Sequence, residues 1–275
     1  ERLYREASHN VALRVEPTDN PDRVRVAGRG ELHLAILLEN MRREGYEVAI
    51  SRPRVVLRET EAGTEEPWEL LVVTLDAGYQ GAVMEALGGR RAELRDMVPE
   101  EQGRVRMEFG IPARGLIGFQ NEFRTITSGT GAMHHVFDHW GEHQPGRLGG
   151  RRNGVLIAKQ SGQALAYALF NLQERGRLFV GPGETVYEGQ IVGIHARAND
   201  LTVNALKGKQ LTNVRAAGKD ENVVLTPALR LTLEQAMEFI DDDELVEVTP
   251  NAIRLRKKLL SEQERKRARH ATASD

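Results

Sequence analysis

Val24-Arg-Val-Ala-Gly-Arg-Gly-Glu-Leu-His-Leu-Ala-Ile-Leu-Leu-Glu-Asn-Met-Arg-Arg-Glu-Gly-Tyr-Glu-Val-Ala-Ile50 changes its apolar period twice. Val24 and Val26 alternate with polar residues, as a half-buried strand does. Gly28-Arg-Gly30 interrupts that pattern. Leu34, Leu37, Leu38 and Met41 then recur at i, i+3, i+4, i+7, so residues 31–44 are predicted to form an amphipathic helix, with Gly45 at its C-terminal cap. Tyr46, Val48 and Ile50 return to alternation, and Pro53 ends it. Upstream, Val11, Leu13 and Val15 predict a strand, Pro17–Pro21 a turn, and residues 1–8 the last turns of a helix. The resulting order of helix, strand, strand, helix, strand is that of a ferredoxin-like unit lacking its first strand.

The following segment repeats the theme. Strands are expected at 55–57, 68–75, 104–109 and 130–137, and helices at 80–94 and 117–127, which reads as a second, complete ferredoxin-like unit. From about Pro145 short β-like pieces alternate with glycine-rich turns, and helices are expected at 163–173 and 232–240, the latter capped by Thr232. The predicted class is therefore α+β in three modules: 1–53, 54–143 and a β-rich 144–275 with a few helices.

The 275 residues contain no cysteine, which excludes disulfides, thiolate metal sites and a thiol nucleophile. No apolar run approaches the ~20 residues of a membrane span, so the chain reads as cytoplasmic without a membrane partner. No G-x-x-x-x-G-K-[ST], H-E-x-x-H or G-x-S-x-G motif occurs. His134, His135, Asp138, His139 and His143 could in principle hold a divalent metal as the centre of an enzyme, but their pattern is that of a strand end with surface histidines. The run from Asp241 to Glu247 could be a protein-facing acidic patch.

The formal net charge of −2 conceals polarity. Residues 195–219 hold Arg197, Lys207, Lys209, Arg215 and Lys219 against Asp200 alone. The last 25 residues carry eight cations, among them Arg254, Arg256, Lys257 and Lys258, against three carboxylates. Lys and Arg neutralise phosphates, and Asn199 and Asn213 can bond sugars or base edges. These residues form the candidate RNA-binding set. No catalytic or metal residue is assigned.

Gly28-Arg-Gly-Glu-Leu-His-Leu34 resembles a signature of domain III of elongation factor G-like translational GTPases, and Pro112-Ala-Arg-Gly-Leu-Ile-Gly-Phe119 with Thr127-Ser-Gly-Thr-Gly131 resembles their domain V. Arg151–Ile157, Tyr187–His195, Asn199–Asn204, Lys209–Asn213 and Phe239–Pro250 resemble the C-terminal domain of the BipA/TypA family of ribosome-associated GTPases. The resemblance implies a C-terminal fragment: a partial domain III, domain V and the family's own last domain. GTP and Mg²⁺ would then belong to a GTP-binding domain that precedes residue 1, so the fragment itself would hydrolyse nothing. The implied partners are the 70S ribosome and its large subunit, 23S rRNA and the acceptor arm of A-site tRNA, approached by a monomer. The implied roles are large-subunit assembly and stress-responsive translation, with the deepest RNA contacts made by the loop from Lys207 to Lys219.

Overall fold

The computed structural model describes residues 1–61, 63–146, 148–208 and 224–272. Along the chain run α1 (Arg2–His9), β1 (Arg14–Pro17), β2 (Val24–Ala27), α2 (Glu31–Arg43), β3 (Val48–Ser51), β4 (Arg58–Thr60), β5 (Gly63–Asp76), α3 (Gln80–Gly88), β6 (Glu93–Pro99), β7 (Arg104–Pro112), α4 (Ala113–Leu116), α5 (Phe119–Ile126) and β8 (Ala132–Glu142). There follow β9 (Val155–Ala158), β10 (Gly162–Gln163), α6 (Ala166–Gln173), β11 (Gly176–Leu178), β12 (Thr185–Val186), β13 (Gln190–His195), β14 (Leu201–Val203), α7 (Leu233–Phe239), β15 (Glu244–Val248), β16 (Ile253–Lys257) and α8 (Glu262–Thr272). These group into two compact units, residues 1–36 with 53–150, and residues 37–52 with 151–275.

In the first unit β1 and β2 form a two-stranded antiparallel pair. The larger sheet runs β8-β5-β7-β6, with β4 adding at the start of β5, and every pairing is antiparallel. Numbering β5, β6, β7 and β8 as strands one to four gives the order 4-1-3-2 with a helix after strands one and three, the ferredoxin-like arrangement. Period-2 burial builds its core: Leu71, Val73 and Leu75 on β5 meet Val105, Met107, Phe109 and Ile111 on β7. Val83, Ala86 and Leu87 of α3 and Phe119 and Phe123 of α5 cover that face at helical spacing.

One helix boundary differs from the sequence expectation. The helix expected to reach Leu94 stops at Gly88, and residues 93–99 form β6 beside β7. Gly88-Gly89 disfavours continuation, and the ladder to β7 satisfies the backbone beyond it.

The motif Pro112–Phe119 is a corner between β7 and α5 fixed by buried polar contacts. Arg114 forms an ion pair with buried Glu66, with Nη2 to Oε1 at 3.0 Å. Buried Arg90 donates to the carbonyls of Gly115 (2.6 Å) and Ile117 (3.1 Å) and pairs with Glu122 (2.8 Å). Gly118 sits at φ +71° to open α5, where a β-carbon would be strained.

The second unit centres on a seven-stranded sheet ordered β14-β9-β13-β16-β15-β3, with β11 also pairing β13. β9 is buried throughout, as a strand covered on both faces must be. Leu156, Leu169, Leu172, Val186, Val192 and Val203 form its core with α6 packed among them. Val48–Ser51, expected to complete the first module, instead pairs antiparallel with Val248–Leu245. Its own alternation suits any half-buried edge, so its partner is chosen by tertiary fit.

Two predicted caps are present. Met41 O accepts from Tyr46 N–H at 3.0 Å and Arg42 O from Gly45 N–H at 3.1 Å, a Schellman pair closed by Gly45 at φ +95°. Thr232 Oγ1 accepts from Gln235 N–H at 3.2 Å, and Gln235 Oε1 accepts from Thr232 N–H at 3.0 Å. Thr232→Ala removes half of this capping box and is expected to cost about 1 kcal/mol, read as a lower urea midpoint with an unchanged slope.

Candidate nucleic-acid interface

The sequence-derived cations separate into three environments. Lys257 is not a surface group: it is 2% exposed, and its Nζ lies 2.7 Å from Asp200, 2.9 Å from Asp243 and 2.8 Å from Glu244. Strand alternation explains this, since Ile253, Leu255 and Lys257 share a face of β16 and Leu255 is in the core. A buried ammonium must be paired, so Lys257 is corrected from RNA contact to internal cation. Arg256 is held at 2.5 Å by Glu247, whose other oxygen accepts from Tyr187 Oη at 2.5 Å. Burial and this carboxylate hold the Tyr187 phenol protonated well above its ordinary range.

Arg254, Lys258, Arg197, Asn199 and Lys207 are exposed. Lys258 Nζ donates to the Asp242 carbonyl. Arg197 and Asn199 lie on the turn between β13 and β14, whereas Lys207 lies beyond the far end of β14. The structure therefore does not gather the set at one point. Lys209, Asn213, Arg215 and Lys219 lie outside the described residues.

The acidic run is engaged in internal ion pairs, although Asp242 and Asp243 remain exposed. Glu244 is 0% exposed and takes both Arg151 nitrogens at 2.9 Å besides Lys257. Burial pushes its carboxyl upward, but the Arg151 guanidinium and Lys257 ammonium outweigh that and hold it below the usual carboxylate range. Asp200 behaves likewise through Lys257 and the Val155 N–H. Asp241 pairs with Arg52 at 3.3 Å. These acids hold the unit together and are not a free acidic patch.

His134, His135 and His139 lie on β8, where neighbouring side chains such as His134 and His135 point to opposite faces, and His143 follows its end. His135 Nδ1 bonds Glu69, which raises its pKa although burial opposes the shift, and His139 Nδ1 lies 3.0 Å from Asp138. Among the described residues no group of three His, Asp or Glu side chains is placed to hold a metal.

Sequence reasoning passed over Arg175 and Arg177. They flank Gly176 on and beside β11: Gly176 stands opposite His195 and Arg177 opposite Ile194 of β13, and Arg175 O accepts from Ala196 N–H. Both are exposed, and among the described residues neither they nor Arg197, Lys207 and Arg254 have a carboxylate within ion-pair distance. Most other arginines do, including Arg42, Arg58, Arg95, Arg151 and Arg230. The available signal was the R-G-R triplet, in which glycine permits close strand approach and the arginines share a side.

Comparison with known proteins fits this architecture. Residues 63–148 match the elongation factor G C-terminus and residues 153–262 the TypA/BipA C-terminal domain. The large ribosomal subunit assembly factor BipA of Haemophilus influenzae is 60% identical over 274 residues, covering all of this chain and 44% of the relative. The Escherichia coli K12 protein of that name is 58% identical over 275 residues, covering 45% of its length, and the Buchnera aphidicola one 54% over 268 residues, covering 44%. The chain thus spans less than half the length of these curated relatives. It joins a segment similar to the elongation factor G C-terminus to one similar to the TypA/BipA C-terminal domain.

Proposed function

We propose that this chain is the ribosome-binding portion of a translational GTPase that acts in large-subunit assembly. It would grip RNA through Arg197, Asn199, Lys207, Arg254 and Lys258, joined by Lys209, Asn213, Arg215 and Lys219. The observation that carries this reading is the set of exposed cations left without carboxylate partners in a chain whose other arginines are mostly paired. The relatives are named as large-subunit assembly factors. In this reading 23S rRNA and the tRNA acceptor arm supply the phosphates, and the chain acts as a cytoplasmic monomer. GTP and Mg²⁺ belong to a further domain. The sequence contains no P-loop, so no step of GTP hydrolysis is derived from its residues. The modules 1–53, 54–143 and 144–275 are units of descent here, whereas in packing β3 of the first joins β15 of the third.

Phosphate neutralisation makes binding salt-dependent. Five contacts give a log–log slope on the order of −3 to −4.5. Changing Lys207, Lys209 and Arg215 together to Ala is expected to flatten that slope by about 2 to 2.7. Co-sedimentation with ribosomes across a salt series measures it, and an unchanged slope refutes the role of this loop.

A further inference from the structure

Glu174, Arg175, His195, Arg197, Asn199 and Leu201 line a cavity of about 200 Å³. Its frame is tightly fixed. Ala196 N–H donates to Arg175 O at 2.8 Å and Gly154 N–H to Arg197 O at 2.8 Å. Asn153 Nδ2 donates to His195 O at 2.9 Å. A β-carbon on Gly154 would stand 2.2 Å from the Asn199 carbonyl, so only glycine permits this close approach. From below, Lys257 anchors Asp200, the residue after Asn199.

His195 is 5% exposed, and its Nδ1 bonds the Asn199 carbonyl at 2.5 Å. A carbonyl only accepts, so Nδ1 is the donor in this contact. Arg175 and Arg197 line the same hollow, and neither has a carboxylate within ion-pair distance among the described residues. Planar guanidinium forks match phosphate oxygens in pairs. Glu174 disfavours a bare phosphate, but a carboxylate accepts from the exocyclic amine of a base, as Glu does from cytosine N4. The volume equals that of about six or seven liquid waters, the scale of a single base and not of a duplex.

We infer that this cavity seats one unpaired RNA nucleotide, its phosphate between Arg175 and Arg197 and its base edge against Glu174 and Asn199. The inference rests on the RNA-binding reading above and adds a subsite to it. Sequence-specific RNA recognition of this kind takes splayed bases of single strands.

The test is proton–carbon NMR of the His195 ring in the 275-residue chain, titrated with 5′-CMP, cytidine and inorganic phosphate. 5′-CMP is expected to shift the His195 signals. The Arg175→Gln/Arg197→Gln double variant, which alters exposed side chains only, should weaken 5′-CMP at least tenfold. Glu174→Gln should weaken 5′-CMP while strengthening phosphate. A cytidine response equal to that of 5′-CMP, or unchanged 5′-CMP binding by the double variant, overturns the assignment. Ribosome co-sedimentation of the unmodified chain separates the two readings. Sedimentation with an unmoved His195 removes the pocket and keeps the ribosome reading. A His195 response without sedimentation does the reverse.

Discussion

Glu244→Ala lowers the stability of the second unit by about 3–5 kcal/mol, because it leaves Arg151 and Lys257 buried without their shared carboxylate. Urea unfolding followed by circular dichroism measures the loss, and a change below 1 kcal/mol contradicts it. The same cluster sets a pH signature. Glu244 and Asp200 have folded pKa values below their unfolded ones. The unfolded chain therefore takes up protons first as pH falls. Their contribution is complete above about pH 5 and drains as pH drops through the folded values. Lys257 is shifted upward, its three carboxylates outweighing burial. Its contribution is complete below about pH 10 and is lost above that. The wild-type chain should thus lose stability steeply as pH falls below about 5, and Glu244→Ala should show a shallower acid slope.

Gly176→Ala is the second large effect. Gly176 has φ +153°, and a β-carbon there would lie 1.8 Å from the Ile194 carbonyl oxygen. Overpacking costs about 1–3 kcal/mol and a forced dihedral about as much again, so the loss is on the order of 4 kcal/mol. The strands it wedges apart carry Arg175 and His195, so the His195 ring signals should move as well. Gly81→Ala in α3 is the control: nothing lies within 4 Å of the added carbon, and helix propensity favours alanine by about 0.5–1 kcal/mol. Equal destabilisation by the two substitutions would show that the contact at Ile194 is not the cause.

Local rules made the helices legible. The spacing of Leu34, Leu37, Leu38 and Met41, the glycine at 45 and the cap at Thr232 all appear where sequence reading put them. What escaped was non-local. Nothing in Val48–Ser51 names Leu245–Val248 as its partner, since the pairing spans nearly 200 residues. The site was misread for a related reason. Counting charge placed Lys257 on the surface, whereas its parity with Leu255 already put it on the buried face. Arg175 was overlooked because it lies far from Arg197 in sequence and lines the same hollow only through the pairing of β11 with β13.

The pairing of β3 with β15 also orders events in time. Synthesis proceeds at about 5–20 residues per second, so the later strand leaves the ribosome some 10–40 s after the earlier one. Through that interval Val48–Ser51 is an edge without its neighbour, while residues 53–150, which with residues 1–36 make up the first unit, emerge. A nascent chain therefore holds an open hydrogen-bonding ladder until Glu244–Val248 is made, and truncation before Glu244 leaves that ladder open for good, the condition under which edges recruit other chains.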